Sequence, residues 1–187
     1  MTQSETRTSA ADTQRILAAA RFAAEKHAGQ KRKGNAAEPY INHLIEVAEL
    51  VARASPVLDV NLVMAALLHD TIEDTGVTGE ELERLFGSDV TALVLEATDD
   101  KSLPKATRKA LQIENAPYKS ERAQTLKIAD KISNLRSLHS SPPAEWSPDR
   151  KRQYGEWARK VVSGFTSPNP LLLAEFEKAY AQLMKSG

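Results

Sequence analysis

Residues 60–70, VNLVMAALLHD, form the segment that decides the fold of this chain. Asp59 precedes the segment and is a residue type that favours helix N-termini, so a helix is predicted from Val60 to about Asp70. The helix would be apolar on nearly every side, which is typical of a helix in the centre of a bundle. The pair His69-Asp70 therefore lies at the edge of a core, where an unpaired carboxylate is costly.

The segments on both sides of this helix also repeat apolar residues at helical spacing. No long stretch alternates with the period of a strand, and no internal repeat or linker divides the chain. The sequence predicts one all-α domain over residues 12–187, a bundle of about 8–10 helices, after a flexible tail over residues 1–11. Further helices are predicted from Asp12 to Gly29, from Ile41 towards Pro56, from the capping box 78–81, from Ser88, from Pro104 to Pro117, over 120–138, within 147–165 and from Asn169.

Composition excludes several classes of function. The chain has 187 residues, of which 41% are hydrophobic and 27% charged, as in ordinary globular domains. It contains no cysteine, which excludes a disulfide scaffold, a thiolate metal site, an iron–sulfur cluster and a cysteine nucleophile. No apolar run is long enough for a membrane span, and the polar N-terminus does not resemble a secretory signal. A cytoplasmic protein is expected.

The charges are balanced in total but not along the chain. The net charge is zero, so no bulk attraction to nucleic acid or to an anionic membrane is expected. Residues 1–100 carry 9 basic and 17 acidic side chains, whereas residues 101–187 carry 16 and 8. Either solvated helix faces complement one another across the fold, or a cation site in the first half faces an anion-binding rim from the second.

Polar residues on three predicted helices point to a metal site. His43 begins one helix, His69-Asp70 ends the apolar helix, and Asp130 shares an otherwise apolar stripe with Leu126. Two imidazoles and two carboxylates suit Mn, Fe, Zn or Co better than Ca or Mg. For the His69-Asp70 pair alone, a buried histidine bonded to a capping acid is the simpler interpretation, and His43 and Asp130 favour the metal.

The spacing of these four residues resembles the H…HD…D signature of the HD-domain metallohydrolases. Further segments are similar to the hydrolase domain of RelA/SpoT-type enzymes, and most similar to the stand-alone small alarmone hydrolases of the metazoan SpoT-homolog type. The resemblance covers roughly residues 12–184. The segments that carry it are 32–33 (RK), 39–43 (PYINH), 65–75 (AALLHDTIEDT), 86–87 (FG), 98–101 (TDDK) and 127–135 (KIADKISNL).

This resemblance implies an HD-type helical domain that hydrolyses the 3′-pyrophosphate of guanosine tetra- or pentaphosphate, (p)ppGpp. The products would be GDP or GTP and pyrophosphate, and the reaction would end stringent-response signalling. One Mn²⁺ per chain is implied, with other divalent transition metals as alternatives. No nucleic-acid or membrane partner is implied.

The resemblance also assigns roles to individual residues. Glu73 and Asp74 match the acidic pair beside the water that the metal activates. Glu73 follows His69 by one helical turn, so it can reach over the ion to orient or deprotonate that water. The matched metal ligands are His43, His69, Asp70 and Asp130, and the matched substrate-side residues are Arg32, Lys33, Asn134, Lys105 and Tyr154, with Arg150 as a further cation for the phosphates.

Several of these positions have a simpler structural interpretation. The pair Glu73-Asp74 would then only cap a loop, and Lys105 would belong to a solvated face together with Arg108 and Lys109. Tyr154 and Trp157 would be core packing, while His27 and His139 are expected to be structural or exposed. Two positions depart from the family pattern: Leu44 stands where proline is common, and Gly34 where a small polar residue is frequent.

Two other functions compete with alarmone hydrolysis. One is an HD-family phosphohydrolase of another nucleotide, such as an NADPH 2′-phosphatase or a nucleoside phosphatase. The other is a non-catalytic, nucleotide-sensing helical module, which predicts the loss of a metal ligand or of the Glu73-Asp74 pair. Neither is lost, and the pair Arg32-Lys33 with Asn134 favours a guanosine substrate.

Overall fold

A computed structural model describes residues 9–185, and the all-α prediction is confirmed for that range. No helix in the described range is long and apolar enough to cross a membrane. The helices are α1 (Ala10–Lys26), α2 (Ile41–Arg53), α3 (Val60–Leu68), α4 (Thr71–Thr75), α5 (Gly79–Phe86), α6 (Ser88–Ala97), α7 (Lys105–Glu114), α8 (Glu121–Ser140), α9 (Pro148–Ser163) and α10 (Pro170–Lys185), with a 3₁₀ turn at Ala116–Tyr118.

Helices α3 and α8 form the centre of the bundle. Every residue of α3 from Leu62 to Leu68 is buried, and α3 packs against α1, α2 and α6. Helix α8 is buried without interruption from Ala123 to Ser133 and packs against α2 and α10. Because these two stretches are enclosed, a polar side chain within them faces other protein groups instead of bulk water.

The junction between α3 and α4 differs from the predicted helix end. Helix α3 ends at Leu68, and a separate short helix, which the sequence analysis did not predict, begins at Thr71. The Thr71 hydroxyl donates a hydrogen bond of 2.6 Å to the Leu68 carbonyl, which satisfies a terminal group of α3. His69 and Asp70 therefore lie at a bend, where both side chains can turn towards the same point.

Two helix starts also differ from the predicted caps. Ser9, not Asp12, caps α1: the Ser9 hydroxyl accepts the Asp12 N–H at 3.0 Å, and the Asp12 carboxylate accepts the Ser9 N–H at 3.2 Å. This reciprocal box satisfies two donors at once, which Asp12 as the cap would not do. Gly87 precedes α6, so Ser88 is its first residue. Residues 9–11 of the predicted tail belong instead to the cap and first turn of α1, whereas residues 1–8 lie outside the described range.

The connection between α1 and α2, residues 27–40, is held against the end of α8. The Ala36 N–H donates to the Ser141 hydroxyl at 2.9 Å, and the Asn35 N–H donates to the Pro142 carbonyl at 3.3 Å. A Cβ atom at Gly34 would lie 2.1 Å from the Ser141 carbonyl oxygen, so only glycine permits this approach. We call residues 31–39 the Gly34 loop.

Candidate active site

The buried side chains of His43, His69 and Asp130 meet at one point in the core. Their ligand atoms all lie within 4.8 Å of one another. His43 is in the first turn of α2, His69 follows α3, and Asp130 is in the middle of α8. Leu44 and Ala129 are fully buried, so the adjacent residues His43 and Asp130 are also held in the core.

Asp70 completes the set of four predicted metal ligands. Its Oδ2 atom lies 3.1 Å from His69 Nε2 and 3.7 Å from His43 Nε2. The Oδ1 atom of Asp130 lies 3.4 Å from His43 Nε2 and 3.9 Å from His69 Nε2. Two imidazole nitrogens thus face two carboxylate oxygens, a donor set that suits a divalent transition metal. We call His43, His69, Asp70 and Asp130 the metal cluster.

The hydrogen bonds of His69 fit a bound cation. Its Nδ1 atom lies 2.8 Å from the Ala66 carbonyl oxygen, which only accepts, so Nδ1 carries the proton. The opposite atom, Nε2, is buried and has no hydrogen-bond partner within the described residues. Nε2 faces the carboxylates of Asp70 and Asp130, and a cation bound between these atoms would take the place of a proton on Nε2.

Electrostatics also favour a cation in the cluster. Burial acts to lower the pKa of His69, but Asp70 and Asp130 raise it to about 9, so the two carboxylates favour a positive charge at this position. Burial lowers the pKa of His43, which keeps this ring neutral. Burial acts to raise the pKa of Asp70 and of Asp130, but His69 lowers the first and Lys131 lowers the second. Both carboxylates are therefore ionised at neutral pH and can bind a metal.

Three side chains hold the carboxylates of the cluster. The Tyr40 hydroxyl donates to Asp70 Oδ2 at 2.6 Å, and Asn134 Nδ2 donates to Asp130 Oδ1 at 2.6 Å. Lys131 Nζ donates to Asp130 Oδ2 at 3.1 Å. Tyr40 was not among the predicted site residues, although its position three residues before His43 in PYINH was an available signal. Such orienting partners set the geometry of metal ligands.

Glu73 is close to the cluster and partly buried. Its Oε2 atom accepts the Asp99 N–H at 3.3 Å, and its Oε1 atom lies 3.7 Å from Arg108 NH1 and 3.9 Å from Lys101 Nζ. Burial raises the pKa of Glu73, and the negative charge of Asp70 adds to the shift. A carboxylate with a raised pKa is a better proton acceptor, which suits general base chemistry.

Asp74 is held from two sides. It is paired with Lys101 and accepts a hydrogen bond of 3.1 Å from Gln30 Nε2. Gln30 Oε1 lies 2.6 Å from Nδ1 of His27, whose buried ring stacks on Tyr40 at a centroid distance of 5.1 Å. The sequence analysis gave no role to Lys101 or Gln30, because neither contact follows from local spacing.

A cleft of about 840 Å³ opens beside these groups. It lies between the Gly34 loop and helices α7, α8 and α9, and its lining includes Tyr40 and Asn134, which contact the metal cluster. Arg32 NH2 donates to Asn134 Oδ1 at 3.1 Å. The structure thus brings every predicted substrate-side residue and the acidic pair to one cleft, namely Arg32, Lys33, Glu73, Asp74, Lys105, Asn134, Arg150 and Tyr154.

One wall of the cleft carries cations without anionic partners. Lys33, Lys105, Lys109 and Arg150 line it, and none of them forms an ion pair within the described residues. Burial lowers the pKa of Lys105, and the nearby charges of Arg150 and Lys33 lower it further. Crowded cations of this kind favour an anionic ligand. We call these four residues the cation wall.

The aromatic residues of the cleft fit both interpretations that the sequence left open, namely core packing and contact with the substrate. Tyr154 and Trp157 pack against the hydrophobic core and also line the cleft. Lys109 Nζ lies 4.4 Å from the Trp157 ring centroid, and the Arg150 guanidinium lies 4.4 Å from that of Trp146. Two members of the cation wall, Lys109 and Arg150, therefore form cation–π contacts with these rings.

Both interpretations of the uneven charge distribution also find support in the structure. Arg122 of the second half pairs with Asp59 and Asp89 of the first half, so complementary faces meet across the fold. The acidic metal cluster and the cation wall also face one cleft, as the second interpretation requires.

Comparison with known proteins agrees with this geometry. Residues 19–156 match the model of the HD domain. The guanosine-3′,5′-bis(diphosphate) 3′-pyrophosphohydrolase of Xenopus tropicalis is 46% identical over 169 residues, which cover 90% of this chain and 94% of that protein. The Homo sapiens protein of the same name is 46% identical over 170 residues, covering 91% and 93%.

Solved structures show the same relationship. One structure, described as a metazoan ortholog of SpoT that hydrolyzes ppGpp, superposes with a TM-score of 0.87 at 43% identity and covers 95% of this chain and 97% of that one. A Listeria monocytogenes protein superposes with a TM-score of 0.65 at 27% identity, covering 79% and 98%. The resemblance found in the sequence is confirmed, and the chain belongs to the HD-domain family.

Proposed function

We propose that this chain is a metal-dependent enzyme that hydrolyses the 3′-pyrophosphate of ppGpp and pppGpp to give GDP or GTP and pyrophosphate. The observation that carries the proposal is a cluster of two imidazoles and two carboxylates directly beside a cleft whose cation wall forms no ion pair within residues 9–185. Relatives of nearly the same extent, 44–46% identical, bear the name of this activity.

The metal cluster is proposed to hold one Mn²⁺, which suits mixed imidazole and carboxylate ligands. When bound, such an ion polarises a phosphoryl group and makes water a better nucleophile at neutral pH. Glu73 orients the attacking water and accepts its proton, and Asp74, held by Lys101 and Gln30, keeps a second carboxylate beside it. The raised pKa of Glu73 matches this role.

The cleft is proposed to bind the substrate through charge and shape. Lys33, Lys105 and Arg150 compensate the phosphate charges, and the flat guanidinium of Arg32 stacks on the guanine. Arg32 is held in place by Asn134, which also contacts a metal ligand, so the base and the metal are positioned relative to each other. Tyr154 forms part of the floor. A cytoplasmic location is proposed along with this activity.

Product analysis tests the function directly. Metal-free protein is incubated with ppGpp, pppGpp, NADPH and GTP, with and without Mn²⁺, and the phosphorus products are identified by ³¹P NMR. We expect pyrophosphate and GDP from ppGpp only when Mn²⁺ is present. Release of orthophosphate from NADPH, with ppGpp left intact, would replace this function with that of a nucleotide phosphatase.

A further inference from the structure

A chain of hydrogen bonds leads away from His43 on the side opposite the metal cluster. Nδ1 of His43 lies 2.8 Å from the Ser133 hydroxyl oxygen, and this hydroxyl donates to Glu46 Oε2 at 2.6 Å. His43 and Ser133 are both almost fully buried. Ser133 lies on α8, three residues after the ligand Asp130, and Glu46 lies on α2, three residues after the ligand His43.

The chemistry of these groups determines where the protons lie. A carboxylate only accepts hydrogen bonds, so the single proton of the Ser133 hydroxyl points to Glu46. The Ser133 oxygen then accepts the proton of His43 Nδ1–H. A neutral imidazole with its proton on Nδ1 has its lone pair on Nε2, the atom that lies 3.4 Å from Asp130 Oδ1.

Glu46 is itself held in place by Arg136, a second residue of α8. Arg136 NH1 donates to Glu46 Oε1 at 3.1 Å, and Arg136 NH2 donates to Glu175 Oε2 at 2.8 Å on α10. Each carboxylate oxygen of Glu46 therefore has its own donor. Because Oε1 is occupied by Arg136, Oε2 is left to accept from Ser133.

We propose that Ser133 and Glu46 are positioning residues that hold His43 in its metal-binding tautomer and thereby set the metal affinity. The proposal rests on the metal cluster of the proposed function. Neither residue lines the substrate cleft; both border a separate cavity of about 190 Å³ on the far side of His43. Partners of this kind change metal affinity by roughly 10- to 100-fold when removed.

The test titrates Mn²⁺ alone into metal-free protein and follows binding by calorimetry. Ser133→Ala removes the acceptor of the His43 proton, and we expect its Kd for Mn²⁺ to rise by roughly 10- to 100-fold. Glu46→Ala frees the Ser133 proton to point at His43, so we expect a rise of the same kind although Glu46 does not touch the ring. The matched control is Ser140→Ala, which removes an exposed hydroxyl of the same helix that donates to the Arg136 carbonyl.

A second measurement separates positioning from packing. At saturating Mn²⁺, kcat of Ser133→Ala for ppGpp should return to the wild-type value, because only the affinity for the ion is changed. A wild-type Kd in Ser133→Ala, an equal loss in Ser140→Ala, or a kcat that excess Mn²⁺ does not restore would overturn the proposal. Wild-type protein that binds Mn²⁺ but leaves ppGpp intact would overturn the proposed function and leave this comparison of affinities standing.

Discussion

The metal cluster and the cation wall meet at one cleft but are built in opposite ways. The cluster residues come from α2, the end of α3 and α8, and His43, His69 and Asp130 are buried. The cation wall comes from the Gly34 loop, α7 and α9, and three of its four members are exposed. The first depends on core packing, whereas the second depends on surface elements and solvent.

This difference predicts two kinds of response to change. A buried charged group cannot be compensated by water, so the loss of one cluster residue affects the whole site. Exposed cations act additively and are screened by salt, so the loss of one of them gives a graded effect. Substitutions in the two groups should therefore differ in the size of their effect on activity and in its dependence on salt.

Removal of a cluster carboxylate should abolish activity. We expect Asp70→Ala and Asp130→Ala to retain no Mn²⁺ after dialysis and to release no pyrophosphate, because each loses an anionic ligand from a site of four. Elemental analysis of the purified proteins gives the metal content. Asp130→Ala also leaves buried Lys131 without its partner, so Asp130→Asn, which keeps the shape, serves as the folding control. A full metal complement in Asp70→Ala or Asp130→Ala would show that the residue concerned is not a metal ligand.

Glu73→Gln should separate chemistry from metal binding. The metal should stay and ppGpp should still bind, while kcat falls by roughly 10²- to 10⁴-fold, the usual contribution of general acid–base catalysis. Steady-state kinetics with measured metal content tests this expectation. Glu83→Gln, an exposed substitution on α5, is the control. A nearly normal kcat would reduce Glu73 to a partner of Lys101 and Arg108.

Gly34→Ala should weaken substrate binding from a distance. The added methyl group would lie 2.1 Å from the Ser141 carbonyl oxygen, so the Gly34 loop must move and carry Arg32 and Lys33 with it. Overpacking of this kind costs about 1–3 kcal/mol, which corresponds to a KM for ppGpp raised by roughly 5- to 150-fold. Gly29→Ala, where nothing lies within 4 Å, is the matched control. Equal KM values for Gly34→Ala and Gly29→Ala would show that the contact between the Gly34 loop and Ser141 does not affect substrate binding.

Lys33→Ala should give the smallest effect and the clearest dependence on salt. One exposed charged contact contributes up to about 1 kcal/mol, so KM for ppGpp should rise by roughly two- to fivefold at low ionic strength. The difference from wild type should shrink at high salt because the contact is screened. Lys160→Ala on the exposed side of α9 serves as the control. A penalty that does not change with salt would indicate a structural role for Lys33.

Most of the fold and the composition of the site were predictable from the sequence. Helical spacing of apolar residues predicted the all-α class, and the enclosed position of α3 followed from the apolar segment 60–68. The metal cluster was predictable because His43 and Asp130 lie on apolar helix faces and His69-Asp70 directly follows the apolar helix α3. The start of α1 was not predictable, because both Ser9 and Asp12 are residue types that cap helices. Only the reciprocal hydrogen bonds in the structure identify Ser9 as the cap.

The sequence by itself determined the helix class, the set of candidate ligands and the residue types of the cleft, because these depend on periodicity and on the chemistry of single side chains. The identity of the side chains that hydrogen-bond to the site residues became clear only from the tertiary structure. Ser133 and Glu46 lie 87 residues apart, and Gln30 and Asp74 lie 44 apart, yet each pair forms one hydrogen bond. Such contacts depend on how α2 packs against α8 and how α4 packs against the connection between α1 and α2. Local pattern carries no information about that packing, because the atoms meet only after the core has formed.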